Sequence, residues 1–185
     1  MPSQVVYYTA ATLDGYLADE RHSLDWLFAV DDAVAPDLQG FGETVGAYVS
    51  GSSTYEWVLE HENLIDEPEK WEKFYAKLPW FVFTSRELPV PEGADVRFVN
   101  GTPAQHFDAI NAAAGEKNVW LYGGGDLVGQ FFEAGLLDRI EVSITPVTLG
   151  AGAPLLPRRI ESDRLRLESV TQYGQFAHLI YNVIK

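Results

Sequence analysis

The sequence has no cysteine, which excludes disulfides, thiolate metal sites and cysteine nucleophiles together. Basic residues are scarce: 13 Lys and Arg stand against 27 Asp and Glu, for a formal net charge of -14. Binding a phosphate backbone needs clustered cations, so no nucleic-acid partner is expected. The densest basic group is Arg158-Arg159 with Arg164 and Arg166. The alternation of 164 and 166 reads as one face of a strand in solvent. An acidic chain can still hold an anionic cofactor where a few local donors face it. No apolar run approaches the roughly 18 residues of a membrane span, so no membrane partner is expected. The opening MPSQVVYYTAATLDGY has neither a basic n-region nor a continuous apolar stretch, and a cytoplasmic protein without a signal peptide is the expectation. The four histidines, at 22, 61, 106 and 178, lack ligand spacing, so no metal is expected.

What is present is an ordinary globular composition, 46% hydrophobic and 22% charged over 185 residues, enough for one substantial core. With no repeat, low-complexity linker or composition shift, a single domain over 1–185 is the simplest division. VVYYTAAT reads as a strand that turns at Asp14-Gly15. SLDWLFAV (23–30) has the spacing of a helix with Ser23 as N-cap. Strands are expected over 46–51, 80–85, 94–100 and 139–147. Helical patterns follow residue 51, span 71–78 and 126–135, and cover 102–114, where Thr102 would cap and Pro103 take the first turn. RLRLESVTQY and QFAHLIYNVI alternate around Gly174 as a long antiparallel hairpin. Strands alternating with helices, then a hairpin, predict an α/β fold with a mostly parallel sheet and antiparallel edge strands.

Three strand ends carry the candidate chemistry. Gly123-Gly124-Gly125 lies between the apolar NVWLY and an amphipathic helix. Without Cβ atoms, such a segment either makes a tight turn or lets backbone N–H groups and a helix N-terminus approach phosphate. The spacing is neither G-x-G-x-x-G, since Val128 stands five residues after Gly123, nor a P-loop. Gly51, Ser52, Ser53 and Thr54 open a second helix, as caps or as ligand contacts. Thr84, Ser85 and Arg86 end a third strand. Together they suggest one crevice along the carboxyl edge of a sheet. Among possible acids, Asp14 is either a turn residue or an acid–base group, and Asp25, beside Trp26, reads as a first-turn helix acid. There is no G-x-S-x-G.

The segments AATLDGYLA, LDWL, YVSGSSTYEWV, FVFTS and VWLYGGGDLVGQFFEAGLLDRIEVSITPVTLGAGAPLL, with the final hairpin, resemble the dihydrofolate reductase-like fold. The resemblance is specifically to the reductase domain of the bifunctional riboflavin-biosynthesis deaminase-reductase, here standing alone. It implies a three-layer domain, a homodimer and a reductase that passes hydride from NADPH, with NADH as the variant, to a small heterocyclic or carbonyl-like substrate. Dihydrofolate reduction, or a non-catalytic nucleotide-binding role, is the alternative. By the same resemblance, Tyr122, Gly123, Gly124, Gly125, Asp126 and Leu127 would lie against the pyrophosphate. Ser52, Ser53 and Thr54 would meet phosphate, and Thr84, Ser85 and Arg86 the adenosine end. Ala10 and Ala11 would face the nicotinamide. Asp14 would orient or protonate substrate, with Asp25 and Trp26 nearby. Where the family has GRxT this chain has GSST, so Ser52 replaces an arginine commonly used on phosphate.

Overall fold

The β-branched and aromatic run from Val5 suits a pleated, half-buried surface. It forms β1 (Val5–Thr12), near the middle of an eight-stranded sheet. The computed structural model describes residues 3–31 and 33–185. The sheet also contains β3 (Val45–Gly51), β4 (Trp80–Phe83), β5 (Val96–Val99), β6 (Asn118–Gly123), β7 (Arg139–Thr145), β9 (Leu165–Tyr173) and β10 (Phe176–Val183), in the order β5-β4-β3-β6-β1-β7-β10-β9. From β5 to β7 every pairing is parallel, and β10 and β9 add antiparallel. Strands β2 (Tyr16–Ala18) and β8 (Ala153–Pro154) form a separate two-stranded ribbon that the sequence patterns did not signal.

Alternation along the strands divides the core into two faces. Tyr7, Val49, Leu121 and Val142 point to the face covered by α5 (Pro103–Ala114) and α6 (Gly125–Glu133), meeting Ile110, Val128 and Phe131. Tyr48, Trp80, Val82 and Trp120 point the other way, against Tyr55 and Val58 of α3 (Ser52–His61) and Trp71 and Tyr75 of α4 (Glu69–Tyr75). A fully buried side chain of this size stabilises by about 1.5–3 kcal/mol, so both faces contribute to holding the layers together. The expected capping of α5 is present: Pro103 starts the helix and Gln105 Oε1 accepts from the Thr102 backbone N–H at 2.7 Å.

Two elements differ from expectation. The helix after Ser23 is a single turn, α1 (Asp25–Phe28), with Leu24 at the cap position. The Ser23 hydroxyl only accepts from the Asp25 N–H, at 3.0 Å, so that cap assignment is corrected. The segment between α1 and β3, to which the sequence patterns assign no element, contains α2 (Leu38–Glu43), whose first turn is held by the Asp37 carboxylate accepting from Gly40 N–H. Its Phe41 stacks on Tyr8 with ring centroids 4.4 Å apart.

On the face of β7 and β10 opposite Val142, a polar chain begins at two buried side chains, Ser143 and His178. Ser143 Oγ lies 2.9 Å from His178 Nδ1, and His178 Nε2 is 3.7 Å from Glu141. Arg139 joins Glu141 to Glu168. Burial holds the His178 pKa below its usual 6.5, with Glu141 opposing and Arg139 assisting. A depressed imidazole pKa means the unfolded chain binds the proton more readily. Its stabilisation is therefore complete above about pH 6.5 and is lost as pH falls through the folded value. Tm measured from about pH 7.5 down to about pH 5.5 should decline in the wild type and decline less in His178→Gln. Parallel curves would show that His178 carries none of the acid sensitivity.

Candidate functional site

Strands β3, β4, β5 and β6 all end on the same edge of the sheet, because parallel strands linked by crossover helices must. Their ends surround a cavity of about 420 Å³. Its wall is Gly51 at the end of β3 with Ser52, Ser53 and Thr54 of α3, Phe83 at the end of β4 with Thr84 and Ser85 beyond it, Asn100 and Gly101 after β5, and Gly124 at the cap of α6 with its Asp126, Leu127 and Gln130. Three of these groups were expected from sequence. Asn100-Gly101 was missed, although it carries the same signal of a polar residue and glycine closing a strand.

Two helices begin in this wall without caps. The N-cap residues of α3 and α6 are Gly51 and Gly124, and neither helix receives a side-chain cap. Their first-turn N–H groups are thus the kind of orphan donors that favour an anion. Among the described residues, no lysine or arginine lines the cavity. Arg158 borders it, donating to Asp126 at 2.9 Å and lying 2.7 Å from Glu133. The Gln130 amide, then Arg158, hold the Asp126 carboxyl below the usual carboxylate range, so the wall carries a negative charge at neutral pH.

The three glycines have three different surroundings. Gly123 has φ +142°, and a Cβ there would lie 3.1 Å from Thr54 Oγ1. Gly124 opens on the cavity, with Thr54 Oγ1 the nearest atom to a Cβ, at 3.9 Å. Gly125 is buried beneath the Pro154 and Leu155 carbonyls, closer than any Cβ could tolerate. Only Gly124 of the three lines the cavity. The Tyr122 ring packs with Trp120 at 4.7 Å and Trp80 at 5.2 Å. Alternation along β6 sends that side chain into the aromatic core.

The other expected residues lie outside the cavity wall: Ala10 and Ala11 on β1, Asp14 in the turn after it, Asp25 and Trp26 on α1, and Arg86 beyond β4. Pairing of β1 with β6 ends at Tyr7–Leu121, whereas pairing with β7 continues to Thr12–Thr145. Past Tyr7, β1 therefore diverges from β6 along the stretch containing Ala10 and Ala11. The Ala11 side chain is fully buried, and its carbonyl accepts from Thr145 Oγ1 at 3.1 Å. Asp14 accepts from the Thr12 hydroxyl at 2.6 Å and from the N–H groups of Leu149 and Gly150 at 3.1 and 2.7 Å. The Thr12 bond first, then these amides, hold its carboxyl below the ordinary range. It is an ionised acceptor tying β1 to the 149–150 loop and is unsuited to donate a proton at neutral pH. Asp25 is exposed, and the Trp26 Nε1 is buried with no hydrogen-bond partner among the described residues. Arg86 turns from the cavity to a two-bond pair with Glu56, at 3.0 and 2.6 Å. No group of three or more histidines and carboxylates suited to a metal occurs among the described residues.

The chain is similar to known proteins over nearly its full length. YwjB of Bacillus subtilis (strain 168) is 30% identical over 181 residues, covering 98% of each chain. A solved structure from Shewanella sp. PV-4, described as a putative riboflavin biosynthesis protein, matches with TM-score 0.75 and 26% identity, over 97% of this chain and 98% of that one. Dihydrofolate reductase from Enterococcus faecalis, solved with NADP(H), shares the fold at TM-score 0.63 and 16% identity, over 98% and 97% of the two chains. The model of the RibD C-terminal domain matches residues 3–179, and the chain belongs to that family of riboflavin-biosynthesis reductase domains.

Proposed function

We propose that the protein is a reductase that uses a reduced nicotinamide dinucleotide, NADPH, to transfer hydride to a small heterocyclic or carbonyl-like substrate. The observation that carries this reading is the cavity where two uncapped helix N-termini meet the ends of four strands. These donors fit a pyrophosphate, and the absence of a Cβ at Gly124 admits one closely. Ser52, Ser53 and Thr54 would supply hydroxyls to it, and Thr84 and Ser85 would border the adenosine end. Gly123, Gly125, Asp126 and Leu127 would shape and support the pyrophosphate cradle, with Tyr122 contributing backbone alone. The bound dinucleotide supplies the hydride. Ala10 and Ala11, where β1 leaves β6, would border the nicotinamide, and Asp25 and Trp26 the substrate. Asp14 would orient the adjoining loop through its ionised carboxylate.

The test is a thermal shift with NADPH, with NADH and with neither. A dinucleotide at 100 times its Kd adds about 2.7 kcal/mol, which at roughly 2–4 °C per kcal/mol raises Tm by about 5–10 °C. No rise with either would overturn the reading. Oxidation of the reduced dinucleotide by a panel of heterocyclic and carbonyl compounds then separates a reductase from a protein that only binds. A cytoplasmic location is part of the same proposal, and among the described residues no helix is long and apolar enough to cross a membrane.

A homodimer is also proposed, formed through the terminal hairpin. Strand β9 is one of the two edge strands of its sheet, and its Leu167 and Val170 are 51% and 62% exposed. An unpaired edge with apolar side chains favours pairing with another strand. Sedimentation should give twice the chain mass, and a monomer at working concentration would refute the dimer.

A further inference from the structure

The cation nearest the Thr84–Ser85 end of the cavity is already engaged. Arg86 follows these two wall residues, and its backbone N–H donates to Thr84 Oγ1 at 3.0 Å. Its guanidinium makes the two-bond pair with Glu56. Glu56 lies one helical turn beyond Ser52 and Ser53 on α3, whose hydroxylic first turn forms the facing wall. The pair thus bridges α3 and the β4 end at the cavity rim. At the other end Arg158 is engaged by Asp126 and Glu133. The two helix N-termini can serve one diphosphate, but a further phosphate finds no uncommitted positive charge among the described wall residues.

We infer that Glu56 is a specificity-determining residue that withholds Arg86 from the ligand and so sets the discrimination between a dinucleotide with and without an extra ribose phosphate. The inference rests on the dinucleotide reading of this cavity. The side chains of Glu56 and Arg86 are 41% and 55% exposed, and a pair so exposed is held weakly. A phosphate dianion near Ser85 competes for the guanidinium with twice the charge and a matching bidentate geometry. Glu56 both opposes that exchange and, once displaced, leaves its own negative charge beside the phosphate. A ligand without the extra phosphate makes no demand on Arg86 and is indifferent to Glu56.

Glu56→Gln keeps the size of the side chain and removes the charge. Binding of NADPH and of NADH should be titrated for wild type, Glu56→Gln, Arg86→Ala and the double variant, with Tm recorded for each without ligand. Glu56→Gln should tighten NADPH about tenfold and leave NADH within about twofold. In the Arg86→Ala background the same substitution should tighten NADPH much less, because the released cation is gone. Equal changes for both dinucleotides in Glu56→Gln, or none, would overturn the inference while leaving the reductase reading intact. An undiminished gain in the double variant would overturn it too. A wild-type protein that binds neither dinucleotide would remove both.

Discussion

Gly125→Ala is expected to damage the fold and the cavity together. Gly125 is the first residue of α6, and a Cβ there would press on the Pro154 and Leu155 carbonyls. That segment cannot easily retreat. Leu155 N–H donates to the Gly15 carbonyl at 2.9 Å, and the buried Tyr7 hydroxyl donates to the Leu155 carbonyl at 3.0 Å. Overpacking against backbone held in this way costs about 3 kcal/mol or more, visible as a fall in the denaturant midpoint. The start of α6 must move as well, and its N–H groups would no longer point into the cavity. Gly124→Ala is the informative contrast, since its Cβ meets nothing closer than 3.9 Å. It should change stability by no more than about 1 kcal/mol, yet weaken NADPH binding about tenfold or more by filling the ligand's approach. Wild-type affinity in Gly124→Ala would show that no pyrophosphate lies over that residue.

Trp80→Ala should produce the other large loss, about 3–5 kcal/mol. Trp80 is wholly buried, and its ring lies within 5.0–5.3 Å of those of Tyr75, Tyr48, Tyr122 and Trp71, centroid to centroid. Its indole N–H also donates to the buried Ser50 Oγ at 2.8 Å. Trp80→Phe separates these contributions. It retains most of the apolar contact but leaves the Ser50 hydroxyl without its donor, for a loss of about 1–3 kcal/mol. Urea unfolding of the three proteins gives the order wild type, Trp80→Phe, Trp80→Ala. A loss below about 1 kcal/mol in Trp80→Ala would contradict its place at the centre of this cluster. Because β4 leads directly into Thr84 and Ser85, the damaged variant should also bind dinucleotide less tightly.

Much of the fold was legible because its signals are local. Thr102-Pro103 marks a helix start whatever surrounds it, and alternation around Gly174 marks a hairpin. The ribbon of β2 and β8 was not legible, since Tyr16–Ala18 and Ala153–Pro154 are too short to show a period and lie far apart in sequence. Helix α2 was hidden for a related reason. Two of its six residues are glycine, and its place depends on Phe41 finding Tyr8 and Trp120.

The candidate site divides in the same way. Sequence alone determined which residue types end the strands, and the 3.6- and 2-residue periods placed those ends beside helix starts. It also determined that few cations would be at hand. Only the tertiary structure decided what each residue does there. It gave Gly125 to packing and Gly124 to the cavity, committed Asp14 to two backbone amides, and turned Arg86 toward Glu56. These assignments depend on partners at 154–155, 149–150 and 56, which lie from about 30 to 136 residues away along the chain. Local patterns carry no information about such contacts, which exist only once the sheet and its layers have assembled.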